Sequence, residues 1–425
     1  MKPNAHGGGV WNRRGVPQAR PDAPRTNRRT FLGRAAAVGL GSMLAGQLTG
    51  VAAEDAAGAS ARTPTASGAD WERLQPFFVP PPDFKNDFGH YRSPLQFSDG
   101  RQVKTAADWV ARRREILEYW HKVMGPWPPL LEHPRVSILR TESRENFAQH
   151  RVRLDIAPGQ TTEGWLLVPE GHGPFPAVLV PFYEPETSIG LKGEKRDFGY
   201  QLARRGFVTL SIGSPGGDAR RPEMGQAACQ PLAFLAYVAA NGHTALGQRP
   251  EVDPQRIGIV GHSYGGKWAM FASCLYEKFA CAAWCDPGVV FDERDRRKEN
   301  PSGSVNYWDV WYLGGPAADP KNPGGGRKLP GEGEPRTGAY KVLVEGGHDL
   351  VELHALMAPR PFLISGGTAD LPERWPALNH AIAVNKLLGF TNRVAMTNRP
   401  THEPTPASNE AIYLFFEHFL GKATP

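Results

Sequence analysis

Only four of the 425 residues are cysteine: Cys229, Cys274, Cys281 and Cys285. That is too few to staple so long a chain, so the fold must rest on a hydrophobic core and not on a disulfide framework. Cys281 and Cys285 fall in or beside one predicted strand, where four residues at about 3.3 Å each set them roughly 13 Å apart, beyond disulfide reach. Small buried apolar filler is the expected role of all four. No Cys/His grouping has zinc spacing, and His348, Glu352 and His354 in "GHDLVELH" match no metal-binding helix pattern. Neither a metal nor another cofactor is therefore expected. No uninterrupted apolar run of about 18 residues occurs beyond the N-terminal segment, so no part of the body reads as a membrane-spanning helix.

Excess positive charge is also missing from most of the chain. The net charge is +6 and the pI about 9.1, but the first 53 residues hold Lys2, Arg13, Arg14, Arg20, Arg25, Arg28, Arg29 and Arg34 against Asp22 alone, a net of +7. The remainder is one unit negative, which removes the clustered positive charge that nucleic-acid binding needs. Within that segment, "NRRTFLGRAAAVGLGSMLAGQLTGVAA" sets Arg28 and Arg29 before Phe31 and Leu32, then a weakly apolar Ala/Gly stretch, then the small residues Val51, Ala52 and Ala53. The order of charge, apolar run and cleavage site resembles a twin-arginine export signal over residues 1–53. It implies recognition by the twin-arginine export machinery and a periplasmic or secreted protein.

With 40% hydrophobic and 22% charged residues, the rest has an ordinary globular composition, and its length suits one large domain or two small ones. Residues 54–82, rich in Ala, Thr and Pro, read as a linker or surface wrap, leaving 83–425 as the domain. "KTAADWVARRREILEYWHKVMGPWPP" predicts one helix, with Thr105 as cap, Trp109, Ile116, Leu117 and Trp120 on helical spacing, and Gly125-Pro126 as the stop. Alternation from Val136 to Val168 predicts paired antiparallel strands ahead of the main sheet. Beyond Pro176, "AVLVPF", "FVTLSI", "RIGIVG", "CAAWC", "PFLISGG" and "RVAMTN" are short apolar runs without alternation, separated by amphipathic segments. Strands buried on both faces between helices read this way, so the class is α/β with a mostly parallel sheet. The stretch 286–346 after the sixth strand, full of Gly, Pro and charge, predicts a lid or binding insertion.

At the centre lies "IGIVGHSYGGKWAM", Ile257–Met270. Gly261-His262-Ser263-Tyr264-Gly265 fits the G-x-S-x-G nucleophile elbow, in which a strand turns directly into a helix and only residues without Cβ beside the serine allow its strained conformation. A serine hydroxyl needs a histidine to take its proton and an acid to hold that histidine. In the chain order serine, acid, histidine, Asp370 follows the buried run "PFLISGG" and His402 follows the next one. Tyr264, next after the serine, and Tyr183 in "PFYEPE" are the candidate backbone donors of an oxyanion hole. Tyr307, Trp308 and Trp311 of the insertion offer aromatic faces suited to sugar rings or to pinning the loop on the core.

From about Phe175 to Leu420 the chain resembles the α/β-hydrolase superfamily, in its carbohydrate-esterase and dienelactone-hydrolase-like branch. "MAPRPFLISGGTAD" and "AIAVNKLLG" are similar to segments of acetyl xylan esterases and glucuronoyl esterases. Glucuronoyl esterases carry Gly-Cys-Ser-Arg-x-Gly-Lys at the elbow, and Lys267 matches the lysine they use on sugar hydroxyls, while Tyr264 stands where they have arginine. That family also varies the position of its acid, and Asp286 in "AWCDPG" occupies the earlier one, which makes it the alternative to Asp370. With the N-terminal signal, the resemblance implies an exported serine esterase acting on a small-molecule or polysaccharide ester, with Lys267 binding substrate as in that family and Trp308 offering its aromatic face to a sugar. A peptidase-like amide hydrolase, or a non-catalytic binding module on the same scaffold, are the competing readings.

Overall fold

The computed structural model describes residues 68–293, 305–315, 330 and 335–421. The proposed signal at 1–53 and part of the 286–346 insertion lie outside them.

Nine strands form one sheet in the order β1-β2-β3-β5-β4-β6-β7-β8-β9. β1 (Val136–Arg144), β2 (Phe147–Ala157) and β3 (Gln160–Pro169) are the antiparallel strands the alternation predicts. They do not stand apart: β3 pairs antiparallel with β5 (Val208–Ile212), which carries the meander into the main sheet. From there β4 (Phe175–Pro181), β6 (Val252–His262), β7 (Cys281–Cys285), β8 (Phe362–Gly366) and β9 (Val394–Asn398) run parallel. The insertion thus follows the seventh strand in chain order, because three strands precede the parallel set.

Every residue of β5, β7 and β8 is buried, which is why their sequences show no polar alternation. The pleat still divides them between two cores. On β7, Ala282 and Trp284 join a large cluster with Trp120, Phe234 and Trp268, while Cys281, Ala283 and Cys285 face a second cluster with Phe198, Leu202 and Phe416. The helices α1 (Gly68–Leu74), α2 (Ala106–Met124), α3 (Phe198–Arg204), α4 (Pro231–Gly247), α5 (Tyr264–Leu275), α6 (Gly338–Glu345), α7 (Leu350–Ala355), α8 (Trp375–Leu387) and α9 (Pro406–Leu420) cover these faces. α2 begins as its sequence indicates: Thr105 accepts from Asp108 N at 3.1 Å while the Asp108 carboxylate takes Thr105 N at 3.0 Å, a reciprocal cap. Part of the Pro-rich stretch expected as linker or wrap is helical: α1 and the turn after it bury Leu74 and Phe78, and Trp71 stacks on His418 of α9. All four cysteines are buried free thiols.

The three residues of "GHDLVELH" diverge. The His348 imidazole bonds Glu352 and stacks on Tyr119, whereas His354 is fully buried between Trp284 and Phe362, with no hydrogen-bond partner for either ring nitrogen among the described residues. Burial pushes its pKa from 6.5 down to about 3. A base depressed in this way is protonated in the unfolded chain first, so its contribution to stability is intact above pH 6.5 and is lost as pH falls toward 3. His354→Leu should therefore gain on wild type by roughly 1–2 kcal/mol at about pH 5 relative to pH 8, read from urea midpoints at the two pH values. An identical pH dependence in both proteins rejects this.

Candidate active site

The elbow forms because β6 runs straight into α5 with no loop between them. Ser263 is held at φ 55°, ψ −112°, a region that costs an L-residue on the order of 1–3 kcal/mol. The flanking glycines are sterically required: a Cβ on Gly261 would run into the carbonyl of Gly265, and one on Gly265 into the carbonyl of Pro181. Ser263 N–H donates to Cys285 O on the neighbouring strand at 2.8 Å, fixing the turn against β7.

His402, in the loop after β9, brings Nε2 to 2.9 Å from Ser263 Oγ. Its Nδ1 lies 2.5 Å from Oδ2 of Asp286, the first residue after β7. Asp286 is 1% exposed and also held at positive φ, 51°. Its Oδ1 accepts Gly367 N at 2.7 Å, Asp370 N at 3.0 Å and Ala369 N at 3.1 Å. Serine, histidine and carboxylate thus stand in one hydrogen-bonded line at the carboxyl ends of parallel strands, where this class of sheet places its sites.

Asp370 is not the partner of His402, and the expectation that it is gives way to Asp286. The Asp370 carboxylate points back across the sheet end and accepts Gly288 N at 2.8 Å and Val289 N at 2.6 Å. Burial, with the charge of Asp286 beside it, raises its pKa above the usual carboxylate range. The two aspartates are reciprocal, Asp286 binding the loop after β8 and Asp370 binding the loop after β7.

Two side chains overlooked in the sequence complete the arrangement. Arg399, 6% exposed, donates to Ser365 O at 2.7 Å and to His402 O at 2.7 Å, tying the histidine loop to β8. Its position three residues before His402, in the loop expected from the sequence to carry the general base, is the signal for it. His262 packs its ring 4.7 Å from that of His402, with Nδ1 3.3 Å from Cys285 Sγ. Full burial holds its pKa far below the usual histidine range, so it faces His402 as a neutral ring.

The two tyrosines predicted to supply the oxyanion donors, Tyr183 and Tyr264, stack their rings at 4.7 Å. The Tyr264 side chain is fully buried, its hydroxyl 3.1 Å from Ser214 Oγ. The residue that replaces arginine here is therefore turned into the core. The insertion aromatics pack on the body: Trp311 lies nearly parallel to Tyr264 at 6.2 Å, and the fully buried Tyr307 faces Phe271 at 6.1 Å. Trp308 is half-buried, edge-on to Tyr340 at 6.2 Å. Lys267 is 3% exposed and donates to Pro287 O. Among the described residues, no group of three or more His, Cys, Asp or Glu side chains could hold a metal ion.

No family model matches the sequence, and no curated protein matches it. Solved structures do. A glucuronoyl esterase from Solibacter usitatus superposes with a TM-score of 0.60 at 18% identity over 79% of this chain and 100% of its own. A promiscuous esterase of carbohydrate esterase family 15 from a marine bacterial metagenome gives 0.59 at 16%, over 79% and 99%. The glucuronoyl esterase catalytic domain from Hypocrea jecorina gives 0.52 at 15%, over 79% and 91%. The fold is that of the α/β-hydrolases.

Proposed function

We propose that this chain is a serine hydrolase that cleaves a carboxylic ester on a carbohydrate, through an acyl-enzyme and without metal or cofactor. The observation that carries this is the line from Ser263 Oγ through His402 to Asp286, mounted on a strained elbow. His402 Nε2 takes the hydroxyl proton as Ser263 Oγ attacks the ester carbonyl, and Asp286 stabilises the imidazolium that forms. The backbone N–H groups of Tyr264 and Tyr183 receive the developing oxyanion. Collapse of the tetrahedral intermediate breaks the ester C–O bond, and the proton on His402 passes to the departing alcohol. Water, deprotonated by the same imidazole, then releases the acid. The likeness in fold to glucuronoyl esterases supports a carbohydrate ester as substrate.

A fluorophosphonate probe should label the purified protein at Ser263 and nowhere else, and p-nitrophenyl acetate, acetylated xylan and a methyl glucuronate should rank the acyl and sugar preference. Absence of both labelling and turnover would leave the binding-module reading in place.

The reading includes export in the folded state, directed by Arg28 and Arg29. Arg28→Lys combined with Arg29→Lys should retain the precursor inside the cell with its activity unchanged, measured by fractionation. Normal delivery of the double variant would refute the signal assignment.

A further inference from the structure

Lys267 lies one helical turn after the nucleophile, its N–H donating to Ser263 O at 2.9 Å. Its ammonium turns away from solvent and donates to the carbonyl of Pro287, the residue after Asp286. It sits 4.2 Å from the ring centre of Tyr307 and 5.4 Å from that of Tyr312. Tyr307 grips the same stretch, donating its hydroxyl to Gly288 O at 2.7 Å and lying 3.2 Å from Pro287 O. Asp370 takes the N–H groups of Gly288 and Val289 from the other side. The three residues that follow Asp286 are thus held by a cation, a phenol and a carboxylate, all of them buried. A buried ammonium is costly to retain unless carbonyls and aromatic faces replace its water, and here they do so at one place, the root of the acid.

We propose that Lys267 is a positioning residue, a strut from the nucleophile's helix to the acid's loop that keeps Asp286 on His402, and that it does not bind substrate hydroxyls. The proposal rests on the serine-hydrolase reading. Both Ser263 and Asp286 occupy strained backbone, so each needs its surroundings to hold it in place, and Lys267 joins the two.

The test uses an ester without a sugar. On p-nitrophenyl acetate, Lys267→Met should lower kcat about ten- to a hundredfold with KM within about twofold, the size of effect that a misplaced catalytic group produces. Lys267→Gln, which keeps a donor, should lose less. Should the methionine variant fail to fold, Tyr307→Phe removes a hydroxyl from the same loop without burying or freeing a charge, and should lower kcat severalfold in the same way. Wild-type kcat on this ester in the Lys267 variants or in Tyr307→Phe, with the loss confined to KM on a sugar-bearing ester, would overturn the proposal. If wild type itself neither reacts with a fluorophosphonate nor turns over the ester, the hydrolase reading falls, and the proposal with it.

Discussion

Asp286→Asn should lower kcat on an activated ester by about 10⁴-fold with little change in KM, the loss seen when the acid of a serine triad is neutralised and its histidine held in the wrong tautomer. The geometry dictates the size of the effect. Asp286 Oδ2 is the atom on His402 Nδ1, and an amide there presents N–H to N–H or turns its oxygen away from the backbone donors of the β8 loop. Asp370→Asn is the control. An amide oxygen can still accept from Gly288 or Val289, and the change removes a buried charge from beside Asp286, so kcat should fall less than about tenfold while the loop loses one hydrogen bond of its clamp. Both variants, measured for kcat and KM on one ester at one pH, decide the matter; a severe loss confined to Asp370→Asn would return the triad to the acid first expected from the sequence.

Ser263→Ala should abolish turnover to within about 10³-fold of the uncatalysed rate, since the oxyanion donors and binding alone remain. Ser263→Gly should be equally inactive but more stable than the alanine variant. At φ 55° and ψ −112° alanine keeps the Cβ that makes the conformation costly, whereas glycine relieves a strain on the order of 1–3 kcal/mol against an entropic loss of roughly 0.5–1 kcal/mol. Thermal unfolding of the two inactive variants checks this. Equal midpoints would mean that the strain relieved at the elbow is no larger than glycine's entropic cost.

How much of this was legible in the sequence follows from the range of the forces involved. The elbow was readable because its signature is local: Gly261 is required by the carbonyl of Gly265 four residues on, and the strand and helix on either side have their own signatures, although the carbonyl that requires Gly265, that of Pro181, comes from a distant strand. The helix at Ala106–Met124 was readable for the same reason, with cap and stop both present in the chain. His402 could be placed because it follows a strand end that the parallel sheet brings to the elbow. The choice of acid could not be made that way. Asp286 and Asp370 each follow a buried strand, and those strands are neighbours. What separates them is a close approach: Asp286 Oδ2 lies where a Cβ on Gly367 would come within 2.7 Å of it. Gly367 in "LISGGTAD" leaves the β8 end bare enough for the carboxylate from β7 to lie across it and reach the histidine. The contact of Lys267 with Pro287 O was illegible for a related reason, since a lysine one turn into the helix has the reach to face either the cleft or the adjacent loop.

The hydrogen bonds of the site span 139 residues from Ser263 to His402 and 116 from His402 to Asp286. Each group hangs from a different parallel strand, and β9 is the last of these strands in the chain. A chain released before its C-terminal strand pairs would hold a finished elbow and a finished acid loop and still have no general base. On the proposed mechanism, turnover should therefore require β9 to have docked. Closing such long chain segments is the slow part of assembling a parallel sheet, so in a refolding experiment the recovery of activity should trail the recovery of helical signal, and esterase rate becomes a clock for the docking of β9.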